Sequence, residues 1–293
     1  MRWLVTGAGG MLGRDTVEEL ARRGEDVTGL DHAGLDITRP GAVDRAFAAH
    51  RPDLVVNCAA HTAVDDAETD EPRALRINGE GPRLLARACA AHGARLIHVS
   101  TDYVFAGDAT APYPEDHPPA PRTAYGRTKL AGERAVRAEL PEASVVLRTA
   151  WLYGVHGHSF VRTMLDLEAR RDTLDVVADQ RGQPTWSADV AARIADLGPR
   201  AGRTARGVFH TTSAGEASWY ELAREIFREI GADPDRVRPT TSDAFPRAAP
   251  RPAYSVLGHG RWRETGLGPL RDWRTALHAA LPLIRKATQG VRS

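Results

Sequence analysis

The sequence predicts an α/β fold, a doubly wound parallel sheet followed by a smaller carboxyl-terminal region. Three observations carry this. Short apolar runs alternate with helical stretches over the first 150 residues, a glycine-rich turn joins the first run to the first helix, and several runs end in small or hydroxyl-bearing residues. Strands are expected near 2–6, 26–30, 53–57, 94–100, 144–149 and 174–177. Beyond about residue 150 the alternation becomes irregular. Residues 1–150 are therefore expected to form the sheet domain, with later segments returning to it. Residues 151–293 should form mainly a substrate-binding region that closes a cleft.

At the amino end, Arg2-Trp-Leu-Val-Thr6 reads as a buried strand, followed by Gly7-Ala-Gly9-Gly10-Met11-Leu12-Gly13 and a helical stretch from Asp15 to Arg23. Strand, glycine turn and helix together form the opening of a Rossmann-like dinucleotide site. Glycine at 7 allows the tight turn, glycine at 10 lets backbone approach a pyrophosphate, and glycine at 13 brings the helix close, with phosphate at the helix amino end. The spacing is GxxGxxG rather than GxGxxG, and glycines in a turn also serve the turn alone. Asp31 ends the second strand, 24 residues after Gly7, where an acid accepts ribose hydroxyls and favours NADH. Arg14 and His32 offer the opposite reading, neutralisation of a 2′-phosphate.

The third strand, Leu54-Val-Val-Asn57, runs into Cys58-Ala59-Ala60, whose small side chains let a flat ligand lie against backbone. The fourth, Leu96-Ile-His-Val-Ser100, delivers the hydroxyls of Ser100 and Thr101 to its carboxyl end, where they either meet a carbonyl or simply cap a turn. A proline- and acid-rich linker at 107–122 is expected to form a rim over the site. Tyr125 and Lys129 follow, four residues apart and so one turn apart on a helix face. The ammonium is expected to lower the phenol's pKa and make Tyr125 a proton donor and acceptor. Ser218 to Glu221 reads as a capping box ahead of the apolar stripe Leu222, Ala223, Ile226, Phe227 and Ile230; residues after about 285 should fray.

Composition fits an enzyme rather than a nucleic-acid or membrane protein. The formal charge is +1, 42% of the 293 residues are hydrophobic, and no apolar run reaches the length of a membrane span. A strand entered at residue 2 leaves no room for a signal peptide, so a cytoplasmic location is expected. Cys58 and Cys89 should be reduced thiols. The 11 histidines show no ligand-like spacing, with His156 and His158 read as loop residues, so no metal is expected.

Taken together, Asn57-Cys-Ala-Ala-His-Thr-Ala-Val-Asp65, Ser100-Thr-Asp-Tyr-Val-Phe105, the Tyr125/Lys129 pair, Arg148-Thr-Ala-Trp-Leu-Tyr-Gly154, Asp179-Gln-Arg-Gly-Gln-Pro-Thr185 and Arg251-Pro-Ala-Tyr-Ser255 resemble the extended short-chain dehydrogenase/reductases. Within them the match is to the dTDP-4-dehydrorhamnose reductase family, from residue 2 to about 257. Tyr254 departs from that pattern, standing where the family often carries asparagine. The resemblance implies hydride transfer from NADPH, with NADH tolerated, to the ketone of a dTDP-linked 4-keto-6-deoxyhexose. It implies Tyr125 as proton donor, Lys129 holding it and the nicotinamide ribose, and Thr101 orienting the ketone. It places cofactor contacts at Gly7, Gly10, Met11, Leu12, Gly13, Asp31, His32, Asp36, Ile37, Cys58, Ala59, Ala60 and Thr62. Substrate contacts fall at Asp102, Tyr103, Trp151, Gln183 and Arg251, with Tyr103 and Trp151 as flat surfaces and Arg251 as a diphosphate fork. A homodimer is admitted. Three alternatives stay open at this level: a ketoreductase of a secondary-metabolite pathway, an NDP-sugar epimerase or dehydratase, and a non-catalytic dinucleotide-binding subunit.

Overall fold

The computed structural model describes residues 1–290. In chain order the main elements are β1 (Arg2–Thr6), α1 (Met11–Arg22), β2 (Asp26–Leu30), α2 (Pro40–His50), β3 (Leu54–Asn57), α3 (Gly81–His92), β4 (Arg95–Thr101), α4 (Ala124–Glu139) and β5 (Ser144–Thr149). They continue as α5 (Phe160–Glu168), β6 (Leu174–Val177), α6 (Ser187–Leu197), β7 (Gly207–His210), α7 (Trp219–Glu229), β8 (Val237–Thr240) and α8 (Trp273–Gly290). The central sheet is entirely parallel and runs β7-β5-β4-β3-β1-β2. Alternate residues of each strand feed different cores, as the two-residue repeat of a strand requires. Trp3, Val5, Leu54, Val56 and Ile97 pack under α1 and α6, while Leu4, Val55 and Leu96 pack under α2, α3 and α4.

The strand near 174–177 forms, but not in this sheet. Leu174 and Val176 are buried while Asp175 is exposed, so β6 has only one apolar face. It pairs in parallel with β8 and packs on the Leu222, Ala223, Ile226 and Phe227 stripe of α7, in a separate core. The sixth place in the main sheet goes instead to β7, whose Val208 and Phe209 are both buried. With two apolar residues between a glycine and a histidine, β7 does not stand out in the sequence. Ser218 and Glu221 form the reciprocal capping box. The chain does not fray at 285; α8 continues to Gly290, with Leu277, Leu281 and Ile284 buried in the second core, and residues 291–293 lie outside the described part. Among the described residues no helix is long and apolar enough to cross a membrane.

The linker 107–122 is not a rim. The Tyr113 hydroxyl accepts the backbone N–H groups of Gly107, Asp108 and Ala109 at 3.0–3.1 Å, and the Tyr113 backbone bonds Val256 and Gly258. The linker therefore braces the 252–258 segment, and none of its residues borders the cavities around Tyr125.

Helix α4 is held close to the turn at 76–80. The Asn78 side chain bonds the His61 backbone at both N–H and C=O and reaches the Thr128 hydroxyl, and a Cβ at Gly132 would lie 2.1 Å from the Asn78 carbonyl oxygen. Gly132→Ala gains about 1 kcal/mol of helix propensity, but the contact is with backbone and cannot relax cheaply, at about 1–3 kcal/mol or more for overpacking. The net prediction is destabilisation, read as a lower thermal midpoint; an unchanged or higher midpoint would show that the helix can move away.

Candidate active site

From β1 the chain goes out to β2, then returns past β1 to β3 and continues in the other direction, so the crossovers diverge at the carboxyl ends of β1 and β3. That divergence opens a crevice. Its floor is the glycine turn. Gly7 has φ +69°, and a Cβ there would fall 2.6 Å from the Ala59 nitrogen; one at Gly13 would fall 2.2 Å from the Gly7 oxygen. No side chain caps the amino end of α1, and Gly10, Met11, Leu12 and Gly13 border a cavity of about 530 Å³. Uncapped N–H groups at a helix start beside bare backbone suit a pyrophosphate, so these residues fit a dinucleotide.

A second cavity, of about 620 Å³, shares Gly10, Cys58 and Ala60 with the first and adds Gly7, Asp31, His32, Asp36, Ile37 and Ala59. Thr62 borders the first. All the expected cofactor positions thus line one continuous crevice. Asp31 is exposed, and its Oδ1 accepts the Gly34 N–H at 2.9 Å. Asp36 is half-buried: Thr38 donates to it from both hydroxyl and backbone, and these bonds hold its carboxyl below the ordinary range. Arg14 borders a small recess beside Asp31, and Arg73, which carries no motif signal, also lines the second cavity.

Strand β4 delivers its two hydroxyls in opposite senses, as adjacent strand residues must. Thr101 faces the crevice, donating to Asp102 Oδ1 at 3.0 Å and accepting the Tyr103 N–H at 3.2 Å. Ser100 donates to Glu133 at 2.6 Å. Thr123 caps α4 through the Gly126 N–H, and the first two turns of that helix bring Tyr125 and Lys129 to the same cavity wall as Thr101. Lys129 is buried and donates to the Val99 carbonyl at 2.7 Å.

The expected lowering of the Tyr125 pKa is not what the structure shows. Burial pushes the phenol up to about 12, the Thr101 hydroxyl opposes this, and the Asp102 charge adds to it. Lys129 is itself brought down to about 8 by burial, against the opposing charge of Glu133. Desolvation dominates, and the charge that bears on the phenol is that of Asp102 rather than of Lys129. Tyr125 is consequently fully protonated near neutral pH, which suits a proton donor. Asp102 is pushed up to about 6 by burial, with the Ser255 and Thr101 hydroxyls opposing the rise, and its Oδ2 is buried without a close hydrogen-bond partner.

A third cavity, of about 580 Å³, shares Tyr103, Trp151 and His158 with the one that Tyr125 borders. Tyr103 meets Tyr125 edge-on, with centroids 5.5 Å apart. Trp151 does not offer a free face. It sits at φ +47°, its ring stacked on Trp219 at 3.5 Å and 6°, with Gly182 behind it where a Cβ would come within 2.5 Å of the indole. The indole edge borders the cavities. Gln183 lies elsewhere: its amide is buried, bonded to Leu257 N–H and C=O and to the Thr212 hydroxyl, and it lines neither cavity. Arg251 does border the third cavity, but one nitrogen bonds Asp65 at 2.7 Å and another the Ala249 carbonyl at 3.0 Å. Tyr254 donates to Glu216 at 2.9 Å and is structural.

Several residues at the site carry a weak signal in the sequence or none. Trp219 appeared only as the residue after a cap, although two aromatics opening a helix were a usable signal. His158, read as a loop residue, borders both central cavities, and His156 Nε2 lies 3.0 Å from Glu18 and 3.6 Å from Asp15 on α1. Those three side chains bring possible ligand atoms within 4.8 Å of one another, a grouping that spacing could not reveal because the histidine arrives from a distant loop.

Comparison with known proteins agrees with this geometry. Residues 1–285 match the family of the RmlD substrate binding domain. The chain is 63% identical over 288 residues, covering 98% of it and 97% of the relative, to a probable dTDP-4,6-dihydroxy-2-methyloxan-3-one 4-ketoreductase of Streptomyces antibioticus. It is 56% identical over 285 residues, covering 97% and 94%, to the dTDP-4-dehydrorhamnose reductase of Streptomyces griseus. The crystal structure of the Bacillus anthracis dTDP-4-dehydrorhamnose reductase in complex with NADP superposes with a TM-score of 0.91 at 38% identity, covering 96% of this chain and 98% of that one. A match of this extent, on a chain that gathers threonine, tyrosine and lysine beside a glycine-floored crevice, decides the matter: the chain belongs to the dTDP-4-dehydrorhamnose reductase family.

Proposed function

We propose that the chain reduces the ketone of a dTDP-linked 4-keto-6-deoxyhexose, of the dTDP-4-dehydrorhamnose type, to the 4-hydroxy sugar, using NADPH with NADH as an alternative. One observation carries this reading. Thr101, Tyr125 and Lys129 share a wall of the cavity that joins the dinucleotide crevice to the cavity bordered by Tyr103, Trp151 and Arg251.

When bound, the reduced nicotinamide supplies a hydride to the ketone carbon. The negative charge left on oxygen makes an alkoxide, a far stronger base than phenolate, so Tyr125 gives up its proton even though burial holds its pKa at about 12. Thr101 Oγ1, fixed by Asp102 and the Tyr103 N–H, is placed to orient that oxygen. Asp102 Oδ2 is available to a sugar hydroxyl, and Lys129, on the same wall as Tyr125, would hold the nicotinamide ribose. The direct experiment follows NAD(P)H absorbance with freshly generated dTDP-4-keto-6-deoxy sugar. An epimerase or dehydratase would leave absorbance unchanged and carry tightly held NAD; a dinucleotide-binding subunit would bind cofactor without turnover.

Tyr125→Phe deletes the hydroxyl and keeps the ring. Turnover should fall by about 10² to 10⁴ with cofactor affinity little changed, the scale for one general acid. Near wild-type turnover in steady-state assays would remove Tyr125 from the mechanism. Asp31→Ala should move the ratio of kcat/KM values toward NADPH, since an exposed carboxylate at that place repels a 2′-phosphate; a ratio that stays put would hand the discrimination to Arg14, His32 or Arg73. For Arg251, substrate KM should rise about 10- to 100-fold on Arg251→Ala, and less on Arg251→Lys, with cofactor affinity held. Because Asp65 shares the guanidinium, Asp65→Asn separates two roles. An arginine that meets the diphosphate keeps its KM or improves it in that variant; one that merely ties the 249–252 segment down loses it, as Arg251→Ala does.

A further inference from the structure

Behind the catalytic wall lies a buried ion pair that the reaction, as described, does not use. Glu133 and Arg148 are each about 3% exposed, and Arg148 meets the carboxylate with two parallel bonds, 2.9 Å to Oε1 and 2.7 Å to Oε2. Ser100 adds a third bond to the same carboxylate at 2.6 Å. The three residues come from α4, β5 and β4, so the cluster ties the helix to two strands of the sheet. Glu133 stands four residues after Lys129 on α4, one turn on and on the same face.

A pair of this kind, fully desolvated, adds little to stability compared with an apolar replacement of the same volume. Its place invites another explanation. Lys129 has given one hydrogen bond to the Val99 carbonyl and is surrounded by groups that carry no negative charge near neutral pH. The Cys58 thiol is pushed up to about 12 and Tyr125 to about 12, both by burial, and His98, fully buried on β4, is held neutral. His210, on the far side of Arg148, is likewise held neutral, by burial and by that arginine. Asp102, the other acid on this wall, acts on Tyr125. Glu133 is the carboxylate whose charge bears on Lys129.

We propose that Glu133, clamped by Arg148 and Ser100, is a positioning residue whose charge keeps the Lys129 ammonium protonated and whose bonds hold the Tyr125–Lys129 turn of α4 against the sheet. The inference rests on the reading of Lys129 as a contact for the nicotinamide ribose and the phenol. Arg148 holds the Glu133 carboxylate with two bonds, and the Ser100 hydroxyl is committed to the same carboxylate, so of the two hydroxyls at the end of β4 Thr101 is the one that faces Tyr125. Burial alone would lead Lys129 to lose its proton within the working range; the carboxylate one turn away opposes this. The functional form of Lys129 is the protonated one, so function is present below its pKa of about 8 and fades as pH rises through it.

The test measures NADPH binding by fluorescence from pH 6 to pH 9.5, and kcat/KM over the same range, for wild type, Glu133→Gln and the pair Glu133→Gln with Arg148→Met. In wild type, affinity and kcat/KM should both fall on the alkaline side. Glu133→Gln should move that fall to lower pH by about one unit or more. The double variant leaves no unpaired buried charge, so it keeps the test available if the single variant folds poorly; it should show a smaller shift of the same sign, because the arginine's repulsion goes too. A uniform loss of affinity or kcat/KM with the alkaline fall still at its wild-type pH in the double variant would mean that the cluster only packs the helix, and would overturn the proposal. Binding profiles are read without turnover. A shifted NADPH profile in a protein that does not reduce the sugar would therefore count against the proposed function and leave this inference standing.

Discussion

The ends of β1 and β3 approach each other so closely that residue 7 has no room for a side chain, and the helix that follows starts so near the turn that residue 13 has none either. Most of the cofactor side of the site depends on that contact. It turns the amino end of α1 toward the crevice with its first N–H groups uncapped, and it sets backbone rather than side chains along the floor. Backbone N–H groups and a helix dipole make a phosphate site whose charge does not titrate. The same contact fixes where Cys58, Ala59 and Ala60 lie, because the loop after β3 is what the glycine turn touches.

On the catalytic side the governing fact is desolvation. Tyr125, Lys129, Asp102, Glu133 and Arg148 are all within a tenth of full burial, and in that setting each charge matters far more than it would in water. The consequence for Tyr125 is a phenol that stays protonated and can only act as a donor toward something as basic as an alkoxide. For Lys129 it is a narrow margin, with burial pulling down and a carboxylate one turn away holding up. A site arranged in this way gains strength from excluding water and becomes sensitive to each paired charge.

The substrate side is built differently, from aromatic stacking and tethered polar groups. Trp151 is locked between Trp219 and Gly182 in a left-handed backbone conformation that a tryptophan adopts only under tertiary constraint. Arg251 is aimed by Asp65 and by a carbonyl two residues away. Gln183 spends all its hydrogen bonds on Leu257 and Thr212, so the motif that contains it serves to pin the 255–258 segment beside the site. Rigid placement lowers the ordering cost of binding a long, flexible nucleotide sugar.

The sequence by itself determined the elements whose signals are local. β1, β2 and the glycine turn, the small residues after β3, the Tyr125/Lys129 helix and the Ser218 capping box are each written within a few neighbouring residues, because strand burial, tight turns, helix spacing and caps are short-range requirements. Tertiary structure decided whatever depends on residues distant in the chain. It put β6 with β8 instead of in the main sheet and gave that place to a four-residue strand. It sent the 107–122 linker to brace the 252–258 segment, covered the face of Trp151, took Gln183 out of the site and brought His156 to α1. It also reversed the expected direction for Tyr125, since spacing reports which charge stands one turn away but not how much water has been removed from around the phenol.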